Sequence, residues 1–387
     1  MIFVQLADAH LDSTISRKLR LPQNKRDTLR NDIRGAVAGA CELALDCRAD
    51  LVLIPGDLFD YECLDRETPA FLLDLMRRLT PIPVLIAPGN HDSLRPGSPY
   101  GAASGTDWPE NVHIFRSPGF ETVTLDRLGA TVTGIGHVHR GVTDRLLAGK
   151  INFAKRDVNL LLFHGSRDGY RPSEKEVTMP FTDAELLAQD FTYAAIGHYH
   201  SFAAIEDSSG PRAAYSGCIQ GRGLDETGRK FAVVGKIEDG AVSLEQIEVA
   251  KRRICIAECD ITGAQDTAAL SGMVRDALQS AGVRDCDIAR VRLTGAAPPD
   301  VQLDLPVLES QPGFFHVSID PRGVEPDYDL DALSLDSAAE KLKSAFVRSM
   351  RLLADEADED ECRTIRDATY YGLYALDGRR LEPRDAD

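Results

Sequence analysis

Five short segments place metal-competent side chains directly after apolar runs. Asp8-Ala9-His10 follows residues 2–6, Gly56-Asp57-Leu58-Phe59-Asp60 follows 51–54, and Gly89-Asn90-His91-Asp92 follows 83–87. His164-Gly165 follows residues 159–163, and Gly197-His198-Tyr199-His200 follows 193–196. Carboxylate, amide oxygen and imidazole without thiolate form a donor mix suited to Mn²⁺, Fe²⁺ or Zn²⁺. In the DxH and HxH segments, residues i and i+2 of an extended chain face one side, so each segment offers two donors together. One aspartate between two imidazole-rich half-sites would bridge a pair of ions. Ions ~3.5–4 Å apart activate water and stabilise both oxygens of an in-line displacement at phosphorus.

The surrounding pattern explains how distant segments would meet. Residues 2–6, 51–54 and 83–87 read as strands, while Leu29, Ile33, Val37, Cys41 and Leu45 recur every fourth residue as one face of a helix. A second helix is expected over 71–79, and further strands over 123–125, 130–135, 159–163, 193–196, 213–216, 231–237 and 242–249. So many strands with so few helices predict an α/β chain built as a two-sheet β-sandwich flanked by helices. Ligands of α/β sheets bind beyond the carboxyl ends of strands, so the five segments converge on one crevice. After Ala250-Lys251-Arg252-Arg253 the texture changes. The expected organisation is a 1–250 catalytic domain, a small α+β domain over 251–330, and a helical segment over 331–387. That last segment carries apolar stripes Leu342, Phe346, Met350, Leu353 and Ile365, Ala368, Gly372, Leu376.

Composition limits the partners. The 387 residues are 43% hydrophobic and 27% charged, enough for one large core and smaller units. With no run near ~18 apolar residues and no basic, signal-like N-terminus, a cytoplasmic protein without a membrane span is expected. The eight cysteines include no CxxC pair and read as reduced thiols. A net charge of −17 disfavours broad electrostatic capture of nucleic acid, although bound divalent cations would reverse the field locally.

The order DxH, GDxxD, GNHD, lone HG and GHxH resembles the calcineurin-like metallophosphoesterase superfamily over roughly residues 1–250. The resemblance implies that Asp8, His10, Asp57 and His200 hold one metal, and that Asp57, Asn90, His164 and His198 hold the other. It further implies His91 as the acid that protonates the leaving oxygen and Asp92 as the residue that orients His91. Asp12 and Asp60 stand as supporting or capping candidates. The earlier echo Gly136-His137-Val138-His139 precedes the lone His164, where the family order has no such motif, and is read as a surface or loop pair.

Substrate class rests on further likeness. The opening ADAHLDS, the GDLFD wording, and residues 215–222 followed by Glu226-Thr227-Gly228-Arg229-Lys230 resemble SbcD-type DNA repair exonucleases, nearest to the YhaO-like bacterial branch. Departures at Cys218 and Phe231 bear on cleft shape, not on the metal donors. The resemblance implies a two-metal DNA phosphodiesterase, Mn²⁺-dependent, with exonuclease and possible endonuclease activity. It also implies an SMC-like ATPase bound by C-terminal helices, and leaves a homodimer open. Arg222, Arg229 and Lys230 become candidates for substrate phosphates. The alternatives are a nucleotide or cyclic-nucleotide phosphodiesterase, and a metal-free scaffold.

Overall fold

The computed structural model describes residues 1–101, 105–154, 156–170, 176–297, 303–326, 328, 330, 338–355 and 357–378. They form two compact units, Met1–Ile254 and Cys255–Asp387.

The first unit holds two six-stranded sheets. One orders β12 (Ala241–Glu248), β11 (Phe231–Glu238), β1 (Ile2–Gln5), β2 (Leu51–Ile54), β3 (Val84–Ile86) and β4 (Val112–Ile114) side by side. The other orders β5 (Glu121–Leu125), β6 (Ala130–Gly134), β7 (Val158–His164), β8 (Tyr193–Gly197), β10 (Gly210–Tyr215) and β9 (Ala203–Asp207). Strands β1 to β4 run parallel, as do β6, β7, β8 and β10, whereas β11 and β12 are antiparallel. The expected sandwich is therefore present. Its reason is visible in β7, whose alternate residues point opposite ways. Leu160 and Leu162 meet Phe3, Leu53 and Leu85 between the sheets, while Leu161 and Phe163 pack outward on Leu147, Phe181 and Leu186. Leu186 belongs to the short helix α3 (Asp183–Leu187).

Helix α1 (Gln23–Asp46) lies against β1 and buries Leu29, Ile33, Val37 and Cys41, the predicted stripe, leaving Leu45 exposed. Helix α2 (Thr68–Arg78) buries Leu72, Leu75 and Met76. One buried polar link joins the sheets. Gln5 donates from Nε2 to the Ala214 carbonyl at 2.9 Å and accepts from the Tyr193 hydroxyl at 2.6 Å.

The second unit has a three-stranded sheet of β13 (Ile254–Asp260), β14 (Ile288–Ala297) and β15 (His316–Pro326), with β14 and β15 parallel. Leu270, Val274 and Leu278 of α4 (Thr267–Ser280) and Leu308 of α5 (Leu305–Glu309) share its core with Val291, Leu293 and Ile319. Helices α6 (Ala338–Ala354) and α7 (Glu359–Leu376) pair so closely that a Cβ on Gly372 would sit 2.1 Å from the Phe346 ring. Leu342, Leu352 and Leu353 remain exposed. No helix among the described residues is long and apolar enough to cross a membrane.

Candidate metal centre

The carboxyl ends of β1, β2, β3, β7 and β8 supply the five motif segments. The chain after β1 is laced to the chain after β2: Asp8 N donates to Gly56 O at 3.2 Å, His10 N to Asp57 O at 2.9 Å, and Leu11 N to Leu58 O at 3.0 Å. This lacing holds candidate donors in left-handed backbone, with φ of 51° at Asp8, 46° at His10 and 53° at Asp57, and His198 after β8 also has a positive φ, 115°. Such conformations cost energy for residues other than glycine and persist where surrounding structure imposes them, typically at functional sites. The second sheet is bound across the gap, since the His198 backbone N–H donates to both Asp8 carboxylate oxygens at 3.1 Å.

Among the described residues four groups of donor atoms result, and two of them unite the expected ligands. Asp8, His10 and His200 offer atoms within 4.8 Å of one another, and so do Asp8, Asp57 and His164. In the first group His10 Nε2 and His200 Nε2 lie 3.2 Å apart, with Asp57 Oδ2 3.6 Å from His10 Nε2. Each ring turns its other nitrogen to a carboxylate: His10 Nδ1 to Asp60 at 2.9 Å and His200 Nδ1 to Glu226 at 2.5 Å. The 2.5 Å carboxylate contact prevails over Arg222 Nη2, which sits 3.2 Å from the same His200 nitrogen. With a carboxylate at each Nδ1, the two Nε2 atoms face each other across 3.2 Å. Two imidazole nitrogens at ~2.1 Å from one ion at a right angle stand about 3 Å apart, so this spacing fits a shared cation. Burial, aided by Arg222, lowers the His10 pKa to about 4, which keeps its ring neutral as a ligand must be.

The second group shows the same logic. His164 Nδ1 donates to the Pro55 carbonyl at 2.9 Å, and its Nε2 lies 3.3 Å from Asp57 Oδ2 and 2.9 Å from Asn90 Oδ1. Burial opposes charge on His164, yet the Asp57 and Asp8 carboxylates outweigh it and raise the pKa to about 9. The pocket thus demands positive charge, which a divalent ion supplies as well as a proton. Asp57 stands between both groups, and the residues present fit a pair of divalent ions.

His198 turns its ring Nε2 to the Glu176 carbonyl at 2.9 Å, with its centroid 5.1 Å from that of His164, while its backbone N–H grips Asp8.

His91 has the most open site imidazole, with its side chain 32% exposed. Its Nδ1 is 2.8 Å from Asp60 Oδ1, the atom that also receives His10. Burial works against a charged ring, but the Asp60 and Asp57 carboxylates prevail and raise the His91 pKa. Asp92 is not the orienting group. Its Oδ1 accepts from the N–H of Asp57 at 3.1 Å and of Gly89 at 2.6 Å, and its Oδ2 from Leu58 N at 2.8 Å and the Tyr100 hydroxyl at 3.1 Å. With its oxygens taken by these donors, Asp92 fixes the Asp57 loop, and the part expected of it falls to Asp60. Asp12 is a tie to α2, accepting from Thr68 Oγ1 at 2.5 Å, Asp65 N at 2.9 Å and Arg34 at 3.1 Å.

The expected phosphate contacts are placed otherwise. Arg222 donates to Glu226 through Nη2 at 2.6 Å and to Ser13 through Nη1 at 3.1 Å, because the buried Glu226 anion requires a cation. Burial raises the Glu226 pKa, but Arg222 and His200 together hold it well below the usual carboxylate range. Lys230 is buried with Nζ 3.4 Å from the His200 carbonyl, and Arg229 is exposed and paired with Glu248 at 2.8 Å. The reading of His137 and His139 as a surface pair is corrected in part: His139 is exposed, whereas His137 is buried, 2.7 Å from Thr178 Oγ1, with its ring 5.5 Å from His164. Burial lowers the His137 pKa to about 3, so it packs as a neutral ring behind the site. Sequence reasoning gave no role to Glu226, although it opens the Glu226-Thr227-Gly228-Arg229-Lys230 segment that follows GHxH.

A two-sheet α/β fold with paired Asp/His half-sites at its strand ends defines a metallophosphoesterase, and the chain belongs to the calcineurin-like phosphoesterase family, whose model matches residues 1–202. It is similar to the uncharacterised metallophosphoesterase YhaO of Bacillus subtilis, 27% identical over 380 residues, covering 97% of this chain and 86% of that protein. It is also similar to DNA double-strand break repair proteins Mre11. That of Methanococcus maripaludis is 26% identical over 52% of each chain, and that of Aeropyrum pernix 29% identical over 60% of this chain and 59% of its own.

Proposed function

We propose that the protein is a two-metal phosphodiesterase that cleaves DNA, chiefly as an exonuclease with some endonuclease capacity, and uses Mn²⁺. The single observation that supports the metal chemistry is the approach of His10 Nε2 and His200 Nε2 to 3.2 Å with carboxylates at their other nitrogens. Asp8, His10, Asp57 and His200 would hold one ion, and Asp57, Asn90, His164 and His198 the other. When bound, the ions lower the pKa of water and neutralise phosphoryl charge. His91, kept protonated by Asp60, gives its Nε2 proton to the departing sugar oxygen.

DNA as substrate is supported by the two Mre11 relatives, which are named for double-strand break repair. On this reading the protein serves repair with an SMC-like ATPase, docked through the exposed leucines Leu342, Leu352 and Leu353 of α6. The test compares Mn²⁺-dependent hydrolysis of end-labelled duplex DNA, single-stranded DNA, cyclic nucleotides and bis(p-nitrophenyl) phosphate, with Asp57→Asn as control. Cleavage of DNA lost in the control supports the reading. Hydrolysis of the small esters alone replaces it with a nucleotide or cyclic-nucleotide phosphodiesterase.

A further inference from the structure

A cleft of about 200 Å³ opens beside His91 and Asn90, and its walls are Tyr61, Glu62, Arg95 and Arg140. Three separate loops bring these walls together, in a chain whose net charge is −17. Two arginines converging next to the reactive centre therefore run against the composition.

Their chemistry is specific. The Arg95 guanidinium lies 3.7 Å from the Tyr61 ring centroid, and the Tyr61 hydroxyl is fixed by the Pro96 carbonyl at 2.8 Å. The ring thus holds the guanidinium flat. Arg95 Nη1 donates to Glu62 at 2.6 Å, but Arg95 Nε is buried with no partner among the described residues. A buried donor without an acceptor is uncommon and points to a missing one. Arg140 pairs with Glu176 through Nε and Nη2, each at 3.2 Å. The side chains of Glu62 and Glu176 are 63% and 61% exposed, so both pairs are screened by water and yield readily to a better acceptor. A planar guanidinium fork matches the two free oxygens of a phosphodiester. Pockets that enclose a whole small ligand run from about 300 Å³ upward, so this cleft suits a backbone linkage rather than a complete nucleotide.

We propose that Tyr61, Arg95 and Arg140 form a subsite for the phosphodiester adjacent to the scissile one, on the side of the leaving sugar that His91 protonates. The subsite rests on the DNA reading above. It gives that reading a substrate class, a strand with at least one further phosphate beyond the cleaved bond, and it replaces Arg222, Arg229 and Lys230 as the phosphate contacts.

The experiment measures Mn²⁺-dependent kinetics of the full chain on a fluorescent oligothymidylate and on bis(p-nitrophenyl) phosphate, which has a single phosphate. The Arg95→Gln/Arg140→Gln double variant is expected to raise KM for the oligonucleotide about tenfold more than KM for the small ester, with little change in kcat. Arg95→Lys, which keeps charge but loses the fork, should recover less than half of that effect. Equal change on both substrates, or none on the oligonucleotide, overturns the subsite while leaving the DNA reading intact. Wild-type protein that hydrolyses the small ester but not the oligonucleotide overturns both, and the metal centre survives.

Discussion

Asp60 Oδ1 receives His10 at 2.9 Å and His91 at 2.8 Å, so one carboxylate serves both a metal-ligand ring and the candidate acid. Its effect on pH dependence has a definite sign. The carboxylates raise the His91 pKa against burial, and proton donation needs the charged ring. Turnover is therefore retained up to the raised pKa and lost as pH climbs through it. In Asp60→Asn that basic limb should move to lower pH; a limb that stays in place would separate His91 from the reaction. His91→Ala should retain metal yet lose roughly 10²-fold or more in kcat. Glu226 acts on the other ring. Glu226→Gln frees the His200 tautomer and strands Arg222, so Mn²⁺ affinity measured by calorimetry should fall about 10- to 100-fold. Undiminished affinity would reduce Glu226 to a structural counter-charge for Arg222.

The candidate metal donors were legible in sequence because strand-end motifs reveal residue type and local direction. Their supports were not. Asp60, Glu226 and the cleft arginines owe their roles to contacts between segments 26 or more positions apart, as with His10 and Asp60 at a separation of 50 and His200 and Glu226 at 26. Asp92 misled because adjacency to His91 suggested contact, whereas the turn directs its carboxylate to Asp57, Leu58, Gly89 and Tyr100. At the level of elements, most strands and their arrangement as two sheets emerged from apolar runs, whereas β4, β9 and the tight approach of the sheets at the site did not. Gly197 at the end of β8 makes that closeness possible: a Cβ there would lie 2.0 Å from the Pro55 carbonyl and 2.8 Å from His164 Nδ1. Gly197→Ala should therefore lower the melting temperature and the bound Mn²⁺ together. Gly39→Ala in α1, where a Cβ meets nothing within 4 Å, should raise stability by about 0.5–1 kcal/mol through helix propensity. Equal behaviour of the two variants would refute the steric account.

At the scale of the whole molecule, each unit has its own core, and Met1–Ile254 contains every donor of the metal centre together with the arginine cleft. Where such a fragment is cut matters because of four residues. Arg252 donates from Nε to Asp32 at 2.5 Å, with both side chains nearly inaccessible, and its carbonyl accepts from Gln220 Nε2 at 2.9 Å. Ile254 O accepts from Gly228 N at 2.9 Å, closing the segment that carries Glu226 and Lys230. Ending the chain at 250 leaves the buried Asp32 carboxylate of α1 without its guanidinium, and loss of one partner of a buried pair costs about 3–5 kcal/mol. A 1–254 fragment is thus expected to fold cooperatively, bind Mn²⁺ and hydrolyse bis(p-nitrophenyl) phosphate, whereas a 1–250 fragment should unfold at clearly lower denaturant concentration. Denaturation curves of the two fragments, with and without Mn²⁺, decide it. Coincident midpoints would mean that the Arg252–Asp32 pair contributes nothing to holding α1 on the sheet that presents Asp8 and His10.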